Sequence, residues 1–343
     1  MFRFLSALFS TSNGNGLGLN DALLDAAIER SIDGTDRRLR ALGQTRRRLR
    51  EPVGTAVRHV IALVDRLPEP IEISARRFGG DPRLRALFAS TEHLNEVFRR
   101  FRSVRDYLDA CDGLPPDDVY GLLIVARNER RVLGMALDGD ALTRDVLQTS
   151  VSFSEHRYLA PGDSERATRR ELMKRAFDFL LERALERIVA AKTDRAEQAR
   201  ERALLARKLE TLKAGQWGLQ PAFDGGSQSE PTEILALEAE LDAIDRQIGE
   251  HRGRDLSLDE SLELVADTLN EAARWLRIDP LSLNLDYRGI LQPANAEGST
   301  AAIEFSELTS ANGERRVVLL GYMPRAFLPE PADPVRLGRA YLG

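Results

Sequence analysis

Apolar residues recur at every third or fourth position through much of residues 21–110, which is the spacing of an amphipathic helix. An Asp81-Pro82 pair predicts one helix start, because aspartate can cap the free N–H groups of a first turn and proline suits the first helical position. The clearest stripe of the region consists of Leu94, Val97, Phe101, Val104 and Leu108. The pattern therefore predicts a set of helices in this part of the chain.

The pattern then changes from helix to strand. Val119–Ala126 is a continuous apolar run of strand length, and Val132–Leu137 has the same character. Asn128-Glu129 lies between them and predicts a reversal, so the two runs together predict a buried β-hairpin. Val151 and Phe153 predict a third short strand.

A single long helix is predicted next. Neither proline nor glycine occurs between Ser164 and Lys213, and the apolar spacing stays helical, which predicts about 49 helical residues. A Gly/Pro-containing loop over residues 215–231 ends this helix. A regular heptad seam follows at Ile234, Leu237, Leu241, Ile244 and Ile248.

The lengths of the helices favour a hairpin arm. A capping box at Ser257-x-x-Glu260 begins another helix, whose predicted end lies at Asp279-Pro280. The heptad helix and this one, of about 22 and about 20 residues, together nearly match the long helix at 1.5 Å per residue. Both can therefore pack antiparallel along it, with the loop near Gly225 as the tip.

The C-terminal part of the chain returns to strands. Leu281, Leu283 and Leu285 alternate with polar residues, the period of a half-buried strand. Further on, Asn312-Gly313 predicts a hairpin turn between an apolar strand start at Ile303 and Phe305 and a second strand over Val317–Tyr322. Small isolated sheets are unstable, so we expect the early and late strands to meet in one head.

The expected fold class is α+β, mostly helical, with a composite antiparallel sheet head and a long antiparallel coiled-coil helical arm. The expected regions are a flexible leader at 1–20, a helical region followed by a β-hairpin at 21–163, the coiled-coil arm at 164–256, a helix plus antiparallel strands at 257–327, and an extended tail at 328–343.

Composition narrows the classes of function. The chain has 343 residues, 43% of them hydrophobic and 30% charged, which suits about two folded domains. Its one cysteine excludes an intramolecular disulfide and fits a reducing compartment, and its four histidines supply few metal ligands. No apolar stretch approaches the roughly 18 residues of a membrane span. These features predict a cytoplasmic protein without a transmembrane segment, a metal or a cofactor.

Arginines are concentrated in one part of the chain. Residues 37–105 contain 17 arginines against 7 acidic residues, although the net charge of the whole chain is -5. The phosphate-binding candidates are Arg46, Arg47, Arg48 and Arg50. This block predicts binding to nucleic acid or to an anionic membrane, with Phe2, Leu5 and Phe9 assisting at the inner membrane surface. The alternative interpretation is an arginine-rich, solvated helix face.

No motif fixes a reaction, and no residue is assigned as catalytic. The best neighbourhood for an enzyme lies between Asp138 and His156, where Ser152, Ser154 and Glu155 are close in sequence and Asp140 and Asp145 lie nearby. A hydroxyl, an imidazole and a carboxylate form a catalytic triad only when their geometry is right, and the sequence does not specify that geometry.

Trp217 and Phe223 fall at the predicted arm tip and are the candidates for partner binding. The predicted function is that of a non-enzymatic interaction or scaffold protein that uses its coiled-coil arm for self-association or for binding a protein partner. Attachment to an anionic surface through residues 37–105 is the first alternative. An enzyme of unknown reaction is the second.

Overall fold

The computed structural model describes residues 21–111, 116–138, 141–217, 235–243, 256–286, 288–292 and 302–328. They combine helices with an antiparallel sheet, so the fold is α+β, as expected. The chain divides into two compact units. The first unit contains Met1–Gly54 and Leu181–Asn270, and the second contains Thr55–Leu180 and Glu271–Gly343.

The described elements of the first unit are helical. It contains α1 (Asp21–Gly34), a 3-10 turn (Arg37–Ala41), the start of α2 (Thr45–Asp65), much of α7 (Glu165–Trp217), a helical segment at 235–243, and α8 (Leu258–Asn270). The long helix predicted over Ser164–Lys213 is therefore present, as the 53 residues of α7. The predicted capping box also forms at α8, where Ser257 Oγ accepts from Glu260 N at 3.1 Å and Glu260 Oε2 accepts from Ser257 N at 2.8 Å.

The second unit packs short helices against a sheet. The helices are the rest of α2, α3 (Ala75–Phe78), α4 (Pro82–Leu87), α5 (Thr91–Arg100), α6 (Arg102–Asp109), the start of α7 and α9 (Ala272–Trp275). The strands are β1 (Ile71–Glu72), β2 (Asp118–Asp138), β3 (Ala141–Gly162), β4 (Leu276–Leu283), β5 (Ile303–Ser310) and β6 (Arg315–Pro324). The Asp81 side chain caps α4 by accepting from Arg83 N, and Pro82 occupies the first turn, as predicted.

The early and late strands share one sheet. The strand order is β3-β2-β6-β5-β4, all antiparallel, and β1 pairs parallel with β6. β2 lies beside β6 from Asp118 opposite Pro324 to Ala126 opposite Arg316. The composite sheet expected from the sequence is therefore present, and the buried run Val119–Ala126 of β2 lies between β3 and β6.

The predicted reversal at Asn128-Glu129 is wrong. β2 continues straight through both residues to Asp138, with Asn128 opposite Ser152 and Glu129 opposite Val151 on β3. The polar side chain of Asn128 finds a partner on the neighbouring strand, since its amide donates to Ser154 Oγ at 2.8 Å. The hairpin partner of β2 is β3, and this strand includes the predicted Val151–Phe153 segment.

Two predicted helices end or break earlier than their spacing indicates. The stripe from Leu94 to Leu108 is split into α5 and α6 at Phe101, whose backbone is extended. The Phe101 ring stacks on Tyr158, with 5.8 Å between the ring centroids. This contact favours the extended backbone at Phe101 over a continuous helix. The helix predicted to reach Asp279-Pro280 ends at Asn270, and the separate short helix α9 follows and ends at Trp275. Pro280 lies in β4, an edge strand that tolerates a missing N–H.

Candidate functional site

A cleft of about 690 Å³ opens in the second unit between its helices and the sheet. One side is formed by α4, the turn that follows it and His93 of α5. The other side is formed by Val151–Phe153 of β3, by Leu285, Asp286, Arg288 and Gly289, and by Ile303 at the start of β5. The burial of Leu87, Val151, Leu285 and Ile303 makes the floor of this cleft apolar.

The wall at residues 286–291 is held by hydrogen bonds. Asp286 Oδ1 accepts from the N–H groups of Arg288 at 2.8 Å and Ile290 at 2.9 Å. The backbone of Gly289 accepts from Val151 N at 2.8 Å, which pins the wall to β3. Gly289 has φ +75°, and a Cβ there would lie 2.8 Å from Val151 O. The turn therefore requires glycine.

A cluster of aromatic rings lies behind the α4 side of the cleft. His156 donates from Nε2 to the backbone oxygen of Leu87 at 2.8 Å, since a carbonyl can only accept. Its ring stacks on Phe88 at 4.8 Å and meets the His93 ring edge-on at 5.7 Å. Burial lowers the pKa of His156 below its usual value, and charge on His93 lowers it further, against the opposing effect of the Leu87 bond.

The ring of His93 has a defined tautomer when it is neutral. Its Nδ1 accepts from Ala89 N at 3.1 Å, so Nε2 carries the proton. No described residue accepts a hydrogen bond from this N–H. His93 therefore brings a hydrogen-bond donor to the cleft, in a region that also has the guanidinium groups of Arg85 and Arg288.

The enzyme candidates between Asp138 and His156 are not brought together. Ser152 lines the cleft, whereas Ser154 bonds to Asn128, and Glu155 pairs with Arg316 at 3.0 Å. His156 faces Leu87 and Phe88 instead of a hydroxyl or a carboxylate. Asp145 is exposed, the side chain of Asp138 is outside the described part of the structure, and Asp140 lies outside the described residues.

Three of the four candidate phosphate-binding arginines pair with carboxylates of the first unit. Arg46 pairs with Glu29 at 2.6 Å, Arg48 pairs with Asp259 at 2.7 Å, and Arg50 pairs with Asp21. Arg47 is exposed and has no carboxylate partner among the residues that the structure describes.

The side chains of the two predicted tip residues lie outside the described part of the structure. Trp217 is the last residue of α7, but its side chain is outside the described part, and Phe223 lies outside the described residues. Within the described ranges, no three His, Cys, Asp or Glu side chains form a group that could hold a metal ion. None of the described helices combines the length and the apolar character needed to cross a bilayer.

The sequence pointed to Ser152 of the cleft lining, but it did not identify Arg85 or His93 as parts of a site. Arg85 looked like any other arginine of the 37–105 block, and His93 was only one of the chain's four histidines. Only folding places them beside β3. Comparison of the chain with protein-family models, curated proteins and solved structures found no match.

Proposed function

We propose that this protein is a non-enzymatic interaction protein of the cytoplasm that associates with a second copy of itself through its long helical arm. The observation that carries the proposal is a set of exposed apolar side chains on α7. Val189 is 53% exposed and Leu204 is 70% exposed, and Leu185 lies one helical turn before Val189. Large apolar side chains left in water on a long helix favour association.

The arm itself is proposed to be an antiparallel coiled coil. Leu237 is only 4% exposed, so the helical segment 235–243 packs against a neighbour. That segment contains Glu238, Glu240 and Asp242 and no basic residue. Residues 200–213 of α7 hold an excess of basic residues, namely Arg200, Arg202, Arg207, Lys208 and Lys213 against Glu201 and Glu210. These opposite charges favour packing of the segment along the end of α7.

A second copy is the expected occupant of the outer face. Leu185 and Val189 are four residues apart and share one side of α7, and Leu204 lies about 60° further round an ideal helix. Leu235, which is 64% exposed, adds an apolar side chain from the other segment of the arm. Every copy carries the same patch, so two copies can bury it in one two-fold interface.

Light scattering coupled to size-exclusion chromatography tests the proposal. We expect the wild-type chain to have the mass of a dimer and the double variant Leu204→Glu, Leu235→Glu to have that of a monomer, because each new charge would have to be buried. Glu201→Gln, at an exposed position on the same helix, is the control and should keep the dimer mass. A wild-type monomer at about 100 μM, or a dimer that survives the double substitution, would refute self-association.

The two alternative functions receive less support. Binding of the arginine block to nucleic acid or membrane would require breaking ion pairs that now engage Arg46, Arg48 and Arg50. An enzyme site near His156 would need a hydroxyl or a carboxylate at the ring, and the ring is instead bonded to Leu87 and stacked on Phe88.

A further inference from the structure

The cleft between α4, β3 and residues 285–289 has the size and rigidity of a small-molecule site. Its volume of about 690 Å³ falls within the roughly 300–1,000 Å³ of ligand pockets. The Asp286 turn fixes one wall, and the hydrogen bond from His156 to Leu87 fixes the other. Such walls need little reorganisation when a ligand enters, which favours affinity.

The floor and the rim of the cleft differ in chemistry. The floor is formed by buried Val151, Leu285 and Ile303 together with Phe153, which packs on Phe305 at 5.8 Å. The rim has the exposed guanidinium groups of Arg85 and Arg288. A ligand that matches both regions has an apolar body and a polar head.

The charge of the rim determines the charge of that head. Arg85 has no carboxylate partner among the described residues, and His93 adds a donor from Nε2. Asp286 is the one acidic residue among the described residues of the lining, and its Oδ1 already accepts two backbone N–H groups. A guanidinium binds a carboxylate through two parallel hydrogen bonds, which makes a carboxylate the best match.

We propose that this cleft binds a small organic carboxylate with an apolar body, with Arg85 and His93 at its head and the buried side chains of β3 and β5 at its body. The inference is independent of self-association through the arm, because the residues that carry it all belong to the second unit.

Calorimetric titration of the full chain with three probes of equal length tests the assignment. Sodium octanoate, 1-octanol and octylammonium chloride share one hydrocarbon body and differ in the head. At pH 7.5 and low salt we expect octanoate to bind with a dissociation constant below about 1 mM, octanol to bind at least tenfold more weakly, and octylammonium more weakly still. Absence of octanoate binding at 5 mM, or equal affinity for octanoate and octanol, would overturn the proposal.

Three variants locate the site. Arg85→Gln should weaken octanoate about tenfold and leave octanol unchanged, because it removes only the head contact. Ser152→Phe places a ring at an exposed position of the lining and should abolish binding of both probes. Arg47→Gln removes an exposed arginine in the other unit and should change neither. The thermal midpoint should match wild type in all three, so that a loss is not misfolding. Wild-type octanoate affinity in Arg85→Gln or in Ser152→Phe would also overturn the assignment.

Discussion

Tyr158 shows how single residues adapt the sheet to its covering helices. This ring is 1% exposed, and its hydroxyl lies 3.0 Å from the backbone oxygens of both Val119 and Gly321. Gly121 lies opposite Gly321 in the β2–β6 ladder. A Cβ at Gly121 would lie 2.2 Å from a carbon of the Tyr158 ring, far inside contact distance. The sheet therefore accommodates the tyrosine only because this position has no side chain.

Gly121→Ala should destabilise the protein by about 1–3 kcal/mol, the usual cost of forcing a methyl group into a packed core. Chemical denaturation followed by circular dichroism measures the free energy of unfolding. Gly43→Ala is the matched control, because a Cβ at Gly43 meets nothing within 4 Å, and it should stay near wild-type stability. Equal stability of the two variants would contradict the packing account of Tyr158.

His156 predicts a dependence of stability on pH. The fold lowers the pKa of this ring, first through burial and then through His93, so the folded state favours the neutral form. Above a pH of about 6.5, the usual pKa of a histidine in an unfolded chain, the ring is neutral in both states and the protein has its full stability. As the pH falls below that value toward the lowered pKa of the folded state, the unfolded state takes up a proton that the folded state does not, so stability is lost. One proton contributes a slope of at most about 1.4 kcal/mol per pH unit.

The measurement is the free energy of unfolding of wild type and of His156→Gln between pH 5 and pH 7.5. Glutamine retains an amide donor for Leu87 O but does not titrate. The loss of stability on acidification should therefore be smaller in the variant. Identical slopes in the two proteins would show that the pH dependence arises elsewhere.

At the scale of elements, the sequence predicted the starts of helices more accurately than their ends. The capping residues Asp81 and Ser257 occupy the predicted positions, since a cap depends on residues only two or three positions apart. The end of the helix before Pro280 and the break at Phe101 were missed. Both depend on partners distant in sequence: Leu276 lies opposite Ser310 on β5, and Phe101 packs on Tyr158 of β3.

The capping box of α8 makes a prediction at this scale. Ser257→Ala removes the acceptor for Glu260 N and should cost about 1 kcal/mol of stability. Ser257→Asp restores an oxygen acceptor near the positive end of the helix and should recover most of that loss. Denaturation curves of the two variants provide the comparison. A loss of equal size in both would mean that the cap does not set the stability of α8.

At the scale of the whole molecule, the sheet joins segments that α7 and the following helices separate along the chain. β2 lies between β3 and β6, so the buried run Val119–Ala126 has both neighbours only after the late strands arrive. The sheet therefore needs the strands that precede α7 in the chain and the strands that follow it. Between the end of α7 and the start of α8, none of the residues that the structure describes belongs to this sheet.

Removal of residues 212–250, which belong to the predicted arm, should therefore leave the sheet intact. A chain in which Leu212–Glu250 is replaced by a short Gly/Ser linker is expected to keep the strand signal in circular dichroism and a cooperative unfolding transition. It should lose the dimer mass in light scattering, because Leu235 and its surroundings are gone. An unfolded product would place this segment in the folding core, and a folded dimer would place the interface elsewhere.

The spacing of apolar residues determined the class of the longer elements, including the 53 residues of α7 and the strands on either side of Gly313. It missed the short strand β1 and the start of β4, both of which lie in segments predicted to be helical. Such spacing is a local property that any helix or half-buried strand needs. Tertiary packing decided where β2 stops, where the helix at Phe101 breaks, and which side chains meet at the cleft. Arg85, His93, Val151 and Leu285 carry no shared pattern along the chain, because their proximity depends on contacts that form only when distant segments pack together.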